Sequence, residues 1–198
     1  MSIKLGITGG IGSGKSVVTH LLQVMDIPVY YTDDEAKRLM VQDRNIRRDL
    51  IAFVGEEVYG TDGRLNRKML AEFLFGYPER VKRVNRIVHP RVKADFERWA
   101  GNQKTPIVAM ECAILYESGF NEAVDKVVGI TASLSTRLAR ATKRDSASVE
   151  QIKRRIAHQL PPEELCMRAD YLIDNEEDSL LIPQVLHLLE ELNSHCHP

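Results

Sequence analysis

Cysteine is scarce in this chain and never closely paired: Cys112, Cys166 and Cys196 stand far apart, with no Cys-x-x-Cys. That usage argues against a disulfide framework or a zinc site and suits a reducing cytosol. Long apolar runs are missing too. No stretch reaches the roughly 18 residues of a membrane span, and the N-terminal segment lacks a signal-peptide h-region. Cleavage of a leader of about 15–30 residues would in any case remove the most informative motif. Charge of one sign is not in excess: 27 Lys and Arg face 28 Asp and Glu. The chain as a whole is drawn neither to nucleic acid nor to anionic membrane. Internal repeats and low-complexity tracts are absent. The terminal His195-Cys196-His197 could collect stray metal, but it reads as a frayed tail. Together the absences predict a cytoplasmic protein with no membrane or nucleic-acid partner. The 198 residues, 43% hydrophobic and 28% charged, fit one α/β domain with insertions and a sizeable core.

What is present is concentrated near the start. Gly9-Gly10-Ile11-Gly12-Ser13-Gly14-Lys15-Ser16 follows an apolar segment at 3–8 and precedes the helical pattern Val17, Val18, Leu21, Leu22, Met25. The spacing Gly9-x4-Gly14-Lys15-Ser16 satisfies the phosphate-loop template in the strand–loop–helix setting it requires. Glycines let backbone N–H groups converge on phosphate oxygens, and the helix N-terminus adds positive potential. Lys15 can reach β- and γ-phosphates, and the Ser16 hydroxyl is placed to ligate Mg²⁺. The chain therefore binds a nucleoside triphosphate.

Apolar runs at 3–8, 27–31, 106–110, 126–131 and 171–173 read as buried strands. Helical patterns at 15–25, 33–41, 133–144, 149–159 and 179–192 alternate with them. This is the pattern of a parallel sheet covered by helices. The interval 43–104 is too long for a simple crossover and looks helical, so it reads as an inserted helical subdomain. Helices are expected at 66–75 and 78–87, with another opening after His89-Pro90. A basic stretch with Arg137, Arg140, Lys143, Arg144, Lys153, Arg154 and Arg155 follows later. Ser148-Val149-Glu150-Gln151 is a capping box within it. Beside a phosphate loop such a helical pair can act as a lid; a solvated charged face accounts for the same composition.

Several side chains could carry chemistry. Thr32-x-x-Glu35 forms a capping-box pattern, which places Asp33 and Asp34 in a helix's first turn. There they complement the helix dipole. Ligands of doubly wound sheets bind beyond the carboxyl ends of the strands, and the strand before Asp33 is expected to neighbour the phosphate-loop strand. Asp33 could then accept a hydroxyl proton, a role compatible with the first. Arg140 and Arg144 share a helix face, either as surface charges paired with Asp145 or Glu150, or as guanidinium groups closing on phosphate. His89 reads as structural when taken alone. Glu111 ends the third strand, where it could touch Mg²⁺ through water.

The same residues resemble the dephospho-coenzyme A kinase family. Thr8-Gly9-Gly10-Ile11-Gly12-Ser13-Gly14-Lys15-Ser16 looks like that family's form of the loop. Asp33 matches the second acid of its Asp-Ala-Asp motif, and Asp62-Gly63-x-Leu65-x-Arg67 matches the segment opening its acceptor-binding region. His89-Pro90 is a family dipeptide, and Arg137-Leu138-x-Arg140-x-x-x-Arg144-Asp145 resembles its lid signature. Arg155-Ile156-x-x-Gln159 and Ala169-Asp170-Tyr171-x-Ile173-x-Asn175 resemble its closing motifs. Tyr31 stands where the family has its first Asp, and Ala113-Ile114-Leu115-Tyr116-Glu117 stands for Pro-Leu-Leu-x-Glu.

The resemblance implies an α/β fold of the phosphate-loop NTPase type and ATP-dependent phosphorylation of the ribose 3′-hydroxyl of dephospho-CoA. It implies a core at 1–42, 105–132 and 165–198, a helical acceptor-binding insertion at 43–104 and a lid at 133–164. ATP is then bound by Gly10, Ile11, Gly12, Ser13, Gly14, Lys15, Ser16 and Val17, with Arg140, Arg144 and Asn175. The acceptor meets Thr8, Asp33, Arg67, His89 and Leu115. Lys15, Asp33 and Arg140 are catalytic, and Ser16 is the Mg²⁺ ligand. Two other readings of the loop remain: a kinase for another small acceptor, such as a nucleoside monophosphate or sugar acid, and a nucleotide-dependent switch or motor. Against the second, the chain has no Asn-Lys-x-Asp and no Leu-Ser-Gly-Gly-Gln.

Overall fold

The computed structural model describes residues 2–194; the terminal His195-Cys196-His197 lies outside them. Five strands form one sheet: β1 (Ile3–Gly9), β2 (Val29–Tyr31), β3 (Ile107–Glu111), β4 (Lys126–Thr131) and β5 (Tyr171–Asp174), in the order β2-β3-β1-β4-β5. Parallel registers pair Ile7 of β1 with Glu111 of β3 and with Val128 of β4. Strands this apolar are stable only when both faces are covered. Helices α1 (Lys15–Val24) and α9 (Leu181–Ser194) cover one region, with Val18, Leu22, Val185, Leu188 and Leu192 packed on Leu5, Ile7, Val128 and Ile130.

The sheet order corrects one expectation. β2 neighbours β3, and β3 separates it from the phosphate-loop strand β1. The crossover through α1 steps over a slot that β3 later fills, and periodicity within a strand does not encode that step.

The chain divides into two compact units, one comprising the described residues through Tyr30 and from Ala100 onward, the other Tyr31–Trp99. The second is helical. It contains α2 (Thr32–Gln42), α3 (Arg44–Val54), α4 (Arg67–Leu74) and most of α5 (Pro78–Gly101). Here α2 begins at Thr32, after Tyr31 at the N-cap position, so Thr32 is not the expected cap; Asp33, Asp34 and Glu35 still occupy the first turn.

The break expected at His89-Pro90 does not occur, and α5 runs 24 residues with Pro90 inside it. An interior proline costs a helix about 3 kcal/mol or more. The offset is visible in the packing. Val84, Val88, Val92, Phe96 and Ala100 recur every fourth residue and are all buried, so the apolar stripe passes the proline without interruption.

In the first unit, α6 (Leu134–Asp145) and α7 (Val149–Ile156) form a tight hairpin. Ser133 caps α6 by accepting from the Thr136 amide, and Ser146 adopts the left-handed conformation that ends it. Both halves of the Ser148/Gln151 capping box are made. Asp145 joins the two helices, accepting from Arg144 at 2.7 Å and from Arg155 at 2.7 Å. Helix α7 stops three residues short of the expected Gln159, and a short helix α8 (Pro162–Arg168), which periodicity did not suggest, begins at a Pro in its first turn.

Candidate active site

The phosphate loop is shaped from both sides. Gly12 and Gly14 have φ of +78° and +94°, a backbone conformation that L side chains rarely adopt. Space is denied as well: a Cβ on Gly12 would collide with the Arg137 carbonyl, and one on Gly14 with the Asn175 side-chain amide. Distant residues hold the loop peptides. The Ile11 amide donates to Oε1 of Gln159 at 2.7 Å, and Nε of Arg137 donates to the Ile11 carbonyl at 3.0 Å. Nδ2 of Asn175 donates to the Ser13 carbonyl at 2.8 Å. The Asn175 carbonyl in turn accepts from Arg140 at 2.8 Å, so β5 and α6 meet on the loop.

Lys15 opens α1, and its Nζ donates to the Gly9 carbonyl at 2.8 Å and to Gly10 at 3.4 Å. Burial pushes its ammonium below the ordinary lysine value, while Glu111 opposes that shift and Arg144 and Arg137 add to it. Around Lys15 lies a cavity of about 240 Å³ lined by Gly12, Gly14, Lys15, Ser16, Val17, Glu111, Arg140 and Arg144. Three cations and one carboxylate therefore line the cavity beside the loop glycines and the start of α1, an arrangement complementary to a polyphosphate. Arg140 reaches the cavity from mid-helix, whereas Arg144 lines it while paired with Asp145.

Of the residues expected to bind nucleotide, Gly12, Gly14, Lys15, Ser16, Val17, Arg140 and Arg144 line this cavity, and Asn175 is bonded to the loop. Gly10 and Thr8 instead border a second, narrow cavity on the loop's other flank, with Tyr116, Glu117, Gln159 and Leu165 among its walls. Leu115 is fully buried, its side chain against Gly6, so it belongs to the core. The remaining three lie in Tyr31–Trp99. Asp33 is in the first turn of α2, Arg67 is the exposed first residue of α4, and His89 is half-buried in α5 with burial lowering its pKa. Sequence reasoning gave no role to Arg137 or Gln159. Both stood in the quoted motifs, and the signal for them was their presence there without an assigned task.

The comparisons with known proteins fit this geometry. The dephospho-CoA kinase family model matches residues 3–180. A dephospho-CoA kinase of Bacteroides fragilis is 48% identical over 198 residues, covering 100% of this chain and 96% of the relative. A crystal structure from Thermus thermophilus superposes with a TM-score of 0.82 at 31% identity, covering 100% of this chain and 99% of that one. A shikimate kinase from Acinetobacter baumannii, in complex with shikimate, has a TM-score of 0.53 at 16% identity, covering 98% and 95%; it shares the fold only. On a match of this length and identity, the chain belongs to the dephospho-CoA kinase family.

Proposed function

We propose that this chain transfers the γ-phosphoryl group of ATP to the ribose 3′-hydroxyl of dephospho-CoA, giving CoA and ADP, the last step of coenzyme A biosynthesis. The observation that carries the reading is the cavity at the phosphate loop, where Lys15, Arg140 and Arg144 converge beside Ser16. The loop amides and Lys15 hold the β- and γ-phosphates, Lys15 exchanging its bonds to the Gly9 and Gly10 carbonyls for phosphate oxygens. Asp33 orients the 3′-hydroxyl and takes its proton late. A loose transition state asks little of a base, so positioning is the larger part of its contribution. Arg140 stabilises charge spreading over the transferring group.

Mg²⁺ fits the donor set. Ser16 and Glu111 bring a hydroxyl and a carboxylate to one cavity, and hard oxygens suit this ion. Among the described residues no three His, Cys, Asp or Glu side chains gather as a metal cage, which agrees with an ion shared with substrate phosphates. Ser16 would hold it, with Glu111 through water. Bound there, Mg²⁺ would neutralise charge on the β- and γ-oxygens.

Segment 133–164 serves as the lid and 43–104 as the acceptor-binding insertion, in which Arg67 and His89 contact the acceptor. Exclusion of water by the lid suppresses ATP hydrolysis. Among the described residues no helix is long and apolar enough to cross a membrane, and Cys112 and Cys166, which stand as thiols, suit the reducing cytoplasm.

The test is ADP release from Mg-ATP in the presence of a panel of acceptors. Release with dephospho-CoA and not with nucleoside monophosphates or sugar acids supports the reading. Release with one of those instead overturns the acceptor assignment, and equal release without acceptor points to a switch or motor.

A further inference from the structure

We propose that Arg137 is a built-in charge reserve of the phosphate loop: its guanidinium is packed against the loop glycines without a carboxylate partner, and the bound phosphates supply its missing counter-charge. This rests on the phosphate-binding half of the proposed function and is independent of which acceptor is used.

The burial is unusual for this residue type. Arg137 is 6% exposed, and among the described residues it is the only Lys, Arg, Asp or Glu in the buried class. Arginine is almost never that deep unless paired. A Cβ on Gly10 would occupy the place of the Arg137 guanidinium, and one on Gly12 the place of its carbonyl. The side chain is therefore moulded to the loop, and glycine at position 10 makes room for an arginine.

The pairing is what is missing. Nε gives one hydrogen bond, to the Ile11 carbonyl at 3.0 Å. Arg144 and Arg155 share Asp145, but among the described residues no Asp or Glu oxygen stands within salt-bridge distance of Arg137. Burial lowers its pKa, and no carboxylate counteracts that. Repulsion between Arg137 and Lys15 appears in the lysine's own shift. A desolvated charge without a partner destabilises a fold. Arg137 therefore weakens the ligand-free protein and strengthens its grip on an anion, through the same charge. Arg137 acts as a positioning residue as well, because it holds the Ile11 peptide while supplying that charge.

A strut and a charge reserve predict different things for Arg137→Gln, which keeps a donor for the Ile11 carbonyl and removes the charge. Inorganic tripolyphosphate is the probe, with the full chain, read by calorimetric titration and by the thermal midpoint. For Arg137→Gln we expect an unchanged or raised midpoint without ligand and a Kd weakened by about tenfold or more, the scale of a lost charge-assisted contact. Arg137→Lys should return the Kd to within about threefold of the parent. Parent-like binding by Arg137→Gln, or binding by Arg137→Lys as weak as by Arg137→Gln, overturns the proposal. Should Arg137→Gln not fold, Arg137→Lys decides alone by the same limits. A parent protein that binds tripolyphosphate through Arg137 but leaves dephospho-CoA unphosphorylated would keep this inference and overturn the proposed function.

Discussion

The side-chain amide of Asn175 donates to the Ser13 carbonyl at 2.8 Å, tying the loop after β1 to the end of β5. The same residue's carbonyl accepts from Arg140, so one asparagine fixes a peptide of the loop and aims a cation at the cavity. Asn175→Ala should cost about 1 kcal/mol of stability, the net worth of an ordinary hydrogen bond, and raise KM for ATP several-fold. Denaturant unfolding and steady-state kinetics check this; an unchanged KM would mean that the loop holds its shape without the tie.

Gly14→Ala attacks the same contact from the other side. The left-handed backbone at position 14 costs a non-glycine residue about 1–3 kcal/mol when it is imposed, and the new methyl would also displace Asn175. We expect a lowered thermal midpoint and lost nucleotide binding. In the double variant with Asn175→Ala the losses should be less than additive, because the collision is gone. Additive losses would show that the two positions act separately.

Lys15 makes stability depend on pH. Its folded-state pKa lies below the ordinary lysine value because burial penalises the ammonium. Below the folded value both states carry the proton, and the penalty is fully present. Between the folded and unfolded values the unfolded chain binds more protons, so stability rises with pH. Above the unfolded value the penalty is gone. The stability of Lys15→Met relative to the parent should therefore fall as pH rises from the lowered folded-state value of Lys15 towards the ordinary lysine value. Urea unfolding at several pH values measures it, and a constant difference would refute the burial account. Turnover by Lys15→Met should drop by orders of magnitude throughout.

Asp33→Asn should lower kcat by about 10²–10⁴, the range of a lost general base, with KM for ATP little changed. If ATP affinity falls instead, Asp33 serves the first turn of α2 or the nucleotide rather than the acceptor hydroxyl.

The loop was legible because its chemistry is local: strand, glycines, Lys15 and Ser16 all lie between Ile3 and Ser16. The strands were legible because a buried parallel strand is a short apolar run wherever it sits in the sheet. Strand order was not, since the slot between β1 and β2 is filled by β3 some 76 residues after β2 ends. His89-Pro90 misled the reading of α5 because a proline is a local signal, whereas the stripe from Val84 to Ala100 that overrides it is a property of the whole helix. Arg137 was one cation of a basic stretch that read as a lid or as a solvated face. Its burial depends on the absence of side chains at Gly10 and Gly12, a relation across more than 120 positions that no window on the sequence reveals.

That separation also sets a timetable for synthesis. Residues 9–16 leave the ribosome well before the groups that hold their peptides, Arg137, Gln159 and Asn175. Until β5 has emerged, a nascent chain carries the complete motif without the scaffold that makes it a site. Contacts this distant along the chain close late and slowly. Nucleotide binding by the growing chain should therefore switch on only once residue 175 has emerged, and a fragment ending before it should carry the signature and fail to bind.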